Sequence, residues 1–471
     1  MREDVARLFE VTTEQLQRII SIALEEGGDY ADIFFEHTII NELSLRDDHI
    51  NRAGSHIDYG VGIRVVKGEE SGYAYSEITT MEEMEKAAKY ASKIASSGKT
   101  LSLPLRDNPL GGNNFYPIKR GWESFGIKEK LPLLELLNAK IHELESRTTK
   151  VRGFINDSLS QILFYNSLGE GYTDIRPLIS IIASCTLEQN GRMESAGASK
   201  SFRAGFEILD VPLITELARS VVKKGSFLFE AKQPTGGEME VVLGAGSSGI
   251  LLHEAVGHAF EADFVRKKLS IFSDMTGKKI CGSSINIIDD ATVPANRGAL
   301  NYDDEGVPGQ KTYLVREGVL NSFLHDRISA KYYQTVPTGN GRRESFRYMP
   351  IPRMRATYME SGDCSEEDII RSVKRGIYAN DFSNGEVQIG AGDFTFFVKS
   401  GYLIENGRLT QPIKDINIIG NGPKALKEIT MVGNNSVIDN STWTCGKGQY
   451  CPVSCGMPSV LVKNLTVGGS V

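Results

Sequence analysis

Apolar residues recur at helical spacing near the start of the chain: Leu16, Ile19, Ile20, Ile22 and Ala23 fall on one face. Thr12, with Gln15 three residues on, gives that helix a capping-box start. From Ala31 to about Thr79 the period shortens. The segments ADIFFEHTII, ELSLRD, YGVGIRVVKG and SGYAYSEIT read as strands, and MEEMEKAAKYASKIA closes the unit as a helix. After the Pro/Gly-rich linker PLRDNPLGGNNFYP the order recurs. EKLPLLELLNAKIHELESR reads as a helix, and KVRGFINDSL, QILFYNSLG, ISIIASCTLEQ and SKSFRAGFE as strands. PLITELARSVVKKGSFLF is the second closing helix. The pattern predicts two α+β modules with antiparallel sheets, residues 1–115 and 116–235, in the order of a duplication although few side chains match between them.

Beyond about Gly236 the texture changes. Glycine turns in GQKTYLVREGVLNS and GYLIENGRLTQP separate short strands, which predicts hairpins. Residues 236–471 are expected to form a β-rich C-terminal domain with one prominent helix around His253 and a second over EEDIIRSVKRGIYA, packed at an edge. The fold class expected is α+β.

At 471 residues the chain exceeds what one core usually serves, so two or three domains are expected. The net charge of -7 and the lack of any Lys/Arg-rich block argue against a nucleic-acid partner. The N-terminus MREDVARLFEVTTEQLQ has no apolar signal core, and no apolar run is long enough to span a bilayer. Six scattered cysteines do not make a disulfide framework. A cytoplasmic protein with no membrane partner is the expectation.

The candidate chemistry lies in His253-Glu254-Ala255-Val256-Gly257-His258. Two imidazoles can hold a zinc ion, and a carboxylate beside the first can manage the proton of an attacking water. The histidines are five apart rather than the four of H-E-x-x-H. A regular helix would separate them by about 140°. A one-residue π-bulge restores a shared face, and Gly257, a weak helix former, stands where that distortion is needed. Set against this, two histidines in the apolar run Ile250–Phe260 could be satisfied core residues. The adjacent Glu254, in a chain with only seven histidines, favours the metal.

A zinc site wants a third protein ligand. Cys185, Cys281 and Cys364 stand singly and read as buried, inert thiols. Cys445, Cys451 and Cys455 cluster in TWTCGKGQYCPVSCG, where glycines let a loop reach a distant helix. Cys445 is the first candidate and Cys451 its replacement; Cys451 or Cys455 joining Cys445 would instead make a closed, structural site. His37, His49, His56 and His142 are isolated. Arg342, Arg343 and Arg353 are candidates for binding substrate or stabilising an oxyanion, although a solvated charge is the more ordinary reading of any one of them.

Gly244-Ala245-Gly246-Ser247-Ser248-Gly249 matches G-x-G-x-x-G between a strand-like Met239–Leu243 and a helix, the context of a dinucleotide-binding turn. No clear strand ending in an acidic residue follows at the usual interval, so the glycines are expected to pack a helix against a sheet, with a nucleotide-binding oxidoreductase as a minor alternative. The other alternative is a non-enzymatic scaffold with a structural zinc.

The stretch GEMEVVLGAGSSGILLHEAVGHAFEADFVRK resembles the core of the TldD/PmbA family of peptidases, which carries the older label of DNA gyrase modulators. NYDDEGVPGQKTYLVREGVL, PTGNGRRESFRYMPIPRM, GYLIENGRLTQPIKDINIIGNGP and CGKGQYCPVSCGMPSV continue the likeness in order through the C-terminal half. The likeness is to the TldD side, which keeps the metal motif that the PmbA-type partner lacks. It implies that His253, His258 and Cys445 bind zinc, that Glu254 is the general acid/base, and that the substrates are unfolded peptides such as antibiotic precursors and antitoxins. It also implies a homodimer, or a heterodimer with a PmbA-like homologue.

Overall fold

The computed structural model describes residues 3–93 and 108–468. The first residues of the expected linker and the last of the first closing helix lie outside them. The chain is α+β, and after a short helix at Glu3–Leu8 both N-terminal modules have the order helix, three strands, helix. In the first these are α1 (Thr13–Leu24), β1 (Tyr30–Arg46), β2 (His49–Lys67), β3 (Glu70–Ser76) and α2 (Met81–Ser92). In the second they are α3 (Ile127–Leu144), β4 (Thr148–Asn166), β5 (Glu170–Gln189), β6 (Arg192–Phe202) and α4 (Val211–Glu230). Thr12 and Gln15 form the reciprocal cap of α1. The segments read as pairs of short strands are continuous: ADIFFEHTII and ELSLRD are one strand, β1, half-buried at residues 39–42, because no turn residue interrupts it until Asp47.

The sheets of the two modules are joined. β1 pairs antiparallel with β4, from Asp32 opposite Asn166 to Arg46 opposite Arg152. The strand order is therefore β3-β2-β1-β4-β5-β6, with Asn108–Pro109 added beside the start of β5. Strand for strand, one half is the reverse of the other, which is the arrangement a duplicated unit gives when its two first strands meet. Helices cover one face in two clusters. Leu16, Ile19, Ile20 and Met84 pack on Ile33, Phe35 and Ile63; Leu134, Leu137, Ile141, Leu217 and Val221 pack on Ile155, Ile181 and Ala183. The other face carries Phe34, Ile162, Phe164 and Tyr172, which meet Tyr302 and Phe346 of the C-terminal half. Burial on both faces explains why β1 is buried without a break from Ala31 to Glu36, polar Asp32 and Glu36 included.

Ion pairs fix that contact. The segment Asp303-Asp304-Glu305 is buried, with Arg64 bonded to Asp32 and, at 2.7 Å, to Glu305. Arg176 reaches Asp304 at 2.6 Å and Asp174 at 2.9 Å.

The C-terminal half contains two six-stranded mixed sheets. One runs Val319–Leu320, Lys311–Arg316, Ile287–Asp290, Ala356–Met359, Ser454–Met457, Val437–Asp439; the other runs Arg408–Asn421, Asp393–Glu405, Arg375–Val387, Gly237–Leu243, Val460–Gly468, Ile429–Val432. Both expected hairpins form, and their turns, Glu317-Gly318 and Asn406-Gly407, have positive φ at both central positions. The helix expected over EEDIIRSVKRGIYA stops at Ser372; from Arg375 the chain is strand, with Gly376 to Ala379 paired to Glu240 to Leu243. A Cβ on Gly376 would lie 2.2 Å from the Glu240 carbonyl oxygen, and Ile377 and Ala379 are buried. Sheet packing outweighs local helix propensity there. No helix among the described residues is long and apolar enough to cross a membrane.

Candidate metal centre

The strand Gly237–Leu243 delivers the chain to residues 244–249, whose tight turn opens a helical stretch buried between the two sheets. A Cβ on Gly249 would sit 2.3 Å from the Gly456 amide nitrogen, and one on Gly244 would be 2.6 Å from the Tyr378 hydroxyl. Protein fills the space above Gly244 and Gly249, which is the packing role expected of them; Gly246, with φ +91°, borders a cavity instead.

The stretch begins as α-helix at Ile250–Leu252, widens to a π-turn at His253–Gly257, and tightens to a 3-10 turn at His258–Phe260. The His258 amide donates to the His253 carbonyl, five residues back. This bulge brings the imidazoles to one side, with ring centroids 5.0 Å apart and planes at 84°. Gly257 does not supply the bulge through an unusual backbone angle, its φ being -56°. Its reason is space: a Cβ there would lie 2.0 Å from the Met354 sulfur.

The third group arrives from the far end of the chain. Residues Thr444–Gly446 and Tyr450–Pro452 form a separate two-stranded ribbon that carries Cys445 to the histidines. Cys445 Sγ is 3.3 Å from His258 Nε2, and the potential ligand atoms of His253, His258 and Cys445 all lie within 4.8 Å of one another. All three residues are buried. Donors around a tetrahedral zinc, with bonds of about 2.0–2.3 Å, are separated by roughly 3.3–3.8 Å, so the group needs only slight contraction to hold one.

The surroundings suit such a donor set. Burial would raise the Cys445 thiol, but the two imidazoles hold it well below its ordinary value. His258 Nδ1 is 2.9 Å from Glu261 Oε2, which fixes the ring and leaves Nε2 facing the sulfur. Glu261 is fully buried; burial opposes its charge, yet Lys447, at 3.2 Å, and His258 bring it down to about 2. Lys447 also bonds Asp263 at 2.7 Å, tying the ribbon to the histidine segment. Glu254 Oε2 stands 4.0 Å from His258 Nε2, and burial raises its carboxyl above the ordinary value.

Cys451 and Cys455 are buried free thiols, and neither joins the three-donor group. Cys185, Cys281 and Cys364 are free as well. The three arginines expected to meet substrate lie in the interior. Arg353, with 0% exposure, donates to the carbonyls of Cys445 at 2.6 Å and Gln449 at 2.8 Å, clamping the ribbon. Arg342 donates to the carbonyls of Met354 and Pro452, and Arg343 bonds Asp304 and the Tyr73 hydroxyl. Buried backbone carbonyls and the buried acidic segment demand these donors. Arg342 and Arg343 also border a cavity of about 370 Å³ against the N-terminal sheet. Sequence reasoning missed Glu261 and Lys447; the one available signal was an acid three residues beyond His258.

Sheet platform, helical stretch and distant thiol define the class: a three-part α+β protein with a buried pocket of two imidazoles and one thiol, the donor set of a transition-metal site. The chain belongs to the PmbA/TldA metallopeptidase family, matching its first domain over residues 31–95, its central domain over 120–225 and its C-terminal domain over 236–469. It is 38% identical to a metalloprotease TldD homolog of Buchnera aphidicola, over 98% of this chain and 100% of that one. It is 36% identical to the one of Haemophilus influenzae, over 98% and 97%. A zinc metalloprotease TldD homolog of Saccharolobus solfataricus is 29% identical over 96% of this chain and 100% of its own. The fold is similar to that of a Thermotoga maritima protein solved under the label of a DNA gyrase modulator, with TM-score 0.79, 21% identity, and 97% and 100% of the two chains covered. TldE from Thermococcus kodakarensis has TM-score 0.75 at 20% identity, over 97% and 100%.

Proposed function

We propose that this chain is a zinc-dependent peptidase that hydrolyses unfolded peptides, with His253, His258 and Cys445 as the metal ligands and Glu254 as the general base. The observation that carries the reading is the convergence of three donors, and no fourth among the described residues, beside a carboxylate 4.0 Å from one of them. A closed structural site has four protein ligands and no use for Glu254. Relatives named as metalloproteases, one as a zinc metalloprotease, support the reaction class.

Held there, zinc supplies Lewis acidity toward the scissile carbonyl and the attacking water. Glu254, its proton affinity raised by burial, takes the proton of that water and passes it to the leaving amine. Glu261 keeps a proton on His258 Nδ1, so that Nε2 stays a ligand. Lys447 and Arg353 hold the ribbon that brings Cys445 into place. A cavity of about 670 Å³ borders Ala245–Ser247, β6 and Trp443, two residues from Cys445, although none of His253, Glu254, His258 and Cys445 lines it. An unspecific peptidase is safest enclosed, and pairing with a second copy or a PmbA-like chain would enclose it; light scattering of the chain alone and co-expressed separates the two.

The test is metal analysis with digestion of an unstructured peptide. Glu254→Gln is expected to keep its zinc and lose cleavage by about 10²–10⁴-fold, while His253→Ala and Cys445→Ala lose both. Normal cleavage by Glu254→Gln, or full zinc in Cys445→Ala, overturns the assignment.

A further inference from the structure

Cys445 is directly opposite Cys451 in the ribbon of Thr444–Gly446 with Tyr450–Pro452. Directly opposed residues of an antiparallel pair project from the same face, with Cα atoms about 4.5–5.5 Å apart. That lies inside the roughly 4.4–6.8 Å range of disulfides. The ribbon belongs to neither large sheet, so its two strands can draw together without breaking another ladder. Cys455, by contrast, is locked in the sheet between Thr357 and Asp439. Packing alone would be served at position 451 by any small apolar side chain. Yet Arg353 Nη1, in the same clamp that holds the ribbon, stands 3.6 Å from Cys451 Sγ.

We propose that Cys445 and Cys451 form a peroxide-oxidised thiol pair, a covalent modification site whose disulfide and whose metal exclude each other. The metal half of this rests on the reading of Cys445 as a ligand. Hydrogen peroxide is little larger than the water that hydrolysis must admit. The Cys445 sulfur attacks one peroxide oxygen; the O–O bond breaks, its electron pair leaves with the second oxygen as hydroxide, and Cys445 becomes a sulfenic acid. That hydroxide takes the Cys451 proton and becomes water. The Cys451 sulfur then attacks the sulfenyl sulfur, the S–S bond forms, and the departing hydroxide takes up the proton first lost by Cys445. Two thiols and one peroxide give a disulfide and two waters. With the thiolate consumed, two imidazoles remain, too few to retain zinc.

The test treats zinc-loaded and metal-free protein with hydrogen peroxide. Zinc release is followed with a chromogenic chelator, and disulfides are mapped by mass spectrometry after alkylation. Trypsin cuts at Lys447, so the expected product is a cross-link between the peptides carrying Cys445 and Cys451. It should form faster in the metal-free protein, release all the zinc of the loaded one, and be reversed by dithiothreitol with added zinc. In Cys451→Val the release becomes irreversible as Cys445 proceeds to sulfinic acid, while Cys455→Ser behaves as wild type. Zinc-binding protein whose Cys451 remains alkylatable after Cys445 has oxidised overturns the proposal, as does reversible release in Cys451→Val. If wild type binds no zinc, the metal reading fails, and the cross-link is still scored by itself.

Discussion

At the scale of single residues, the candidate centre depends on side chains that never touch a metal. Glu261 is the buried anchor of His258, and its charge is balanced by Lys447 and Arg353. Glu261→Gln keeps the shape but loses the charge; the expected outcome is zinc affinity lower by about 10–100-fold, measured by competition with a chelator of known strength. An unchanged affinity would show that His258 needs no such anchor. His325 makes a separate point. Burial holds this imidazole down at about 4 against an ordinary 6.5, so the folded protein keeps it neutral where the unfolded chain would protonate. Its contribution is intact above pH 6.5 and is lost as the pH falls toward 4, by about 1.4 kcal/mol per unit and roughly 3 kcal/mol in all. His325→Phe should therefore lose less melting temperature than wild type between pH 7 and 5. Parallel losses would contradict the buried neutral state.

At the scale of elements, the histidine segment shows how close packing and coordination geometry are linked. The π-turn aligns the rings, and Gly257 lets Met354 press against that turn. Gly257→Ala must displace a fully buried Met354 sulfur, at an expected cost of about 1–3 kcal/mol. Adding Met354→Ala should cost less than the sum of the two single changes, a coupling readable from a urea double-mutant cycle. Strict additivity would mean that the contact does not decide the glycine. The segment also shows what a local pattern reveals: the five-residue spacing required a bulge for any shared face, and the bulge is there. The helix read over EEDIIRSVKRGIYA failed beyond Ser372 because a partner strand about 135 residues away, Glu240 to Leu243, claims the backbone of Gly376 to Ala379.

At the scale of the whole molecule, the joined N-terminal sheet and the C-terminal half share buried charges. Arg64, 1% exposed, holds Asp32 of its own sheet and Glu305 of the other half. Arg64→Met would remove the ion-pair partner of the buried Glu305 and leave the buried Asp32 with Arg343 alone, 3.5 Å away, and should cost about 3–5 kcal/mol in urea unfolding. A change of a few tenths would indicate that protonation of Glu305 relieves the loss.

The residues of the chain by themselves determined the four long helices of the N-terminal modules with the Thr12 cap, the two hairpin turns, the repeated order of elements, the C-terminal strand texture and the chemical identity of the donors. Each of these is written in short-range periodicity or side-chain type. Only the tertiary structure decided that β1 and β4 fuse two modules into one sheet, and that Cys445 rather than Cys451 or Cys455 meets the histidines. It also decided that Arg342, Arg343 and Arg353 serve the interior, and that Glu261 and Lys447 stand behind the ligands. Those outcomes depend on pairings between residues tens to hundreds of positions apart, set by burial and by the need to satisfy buried polar groups, which local sequence does not encode.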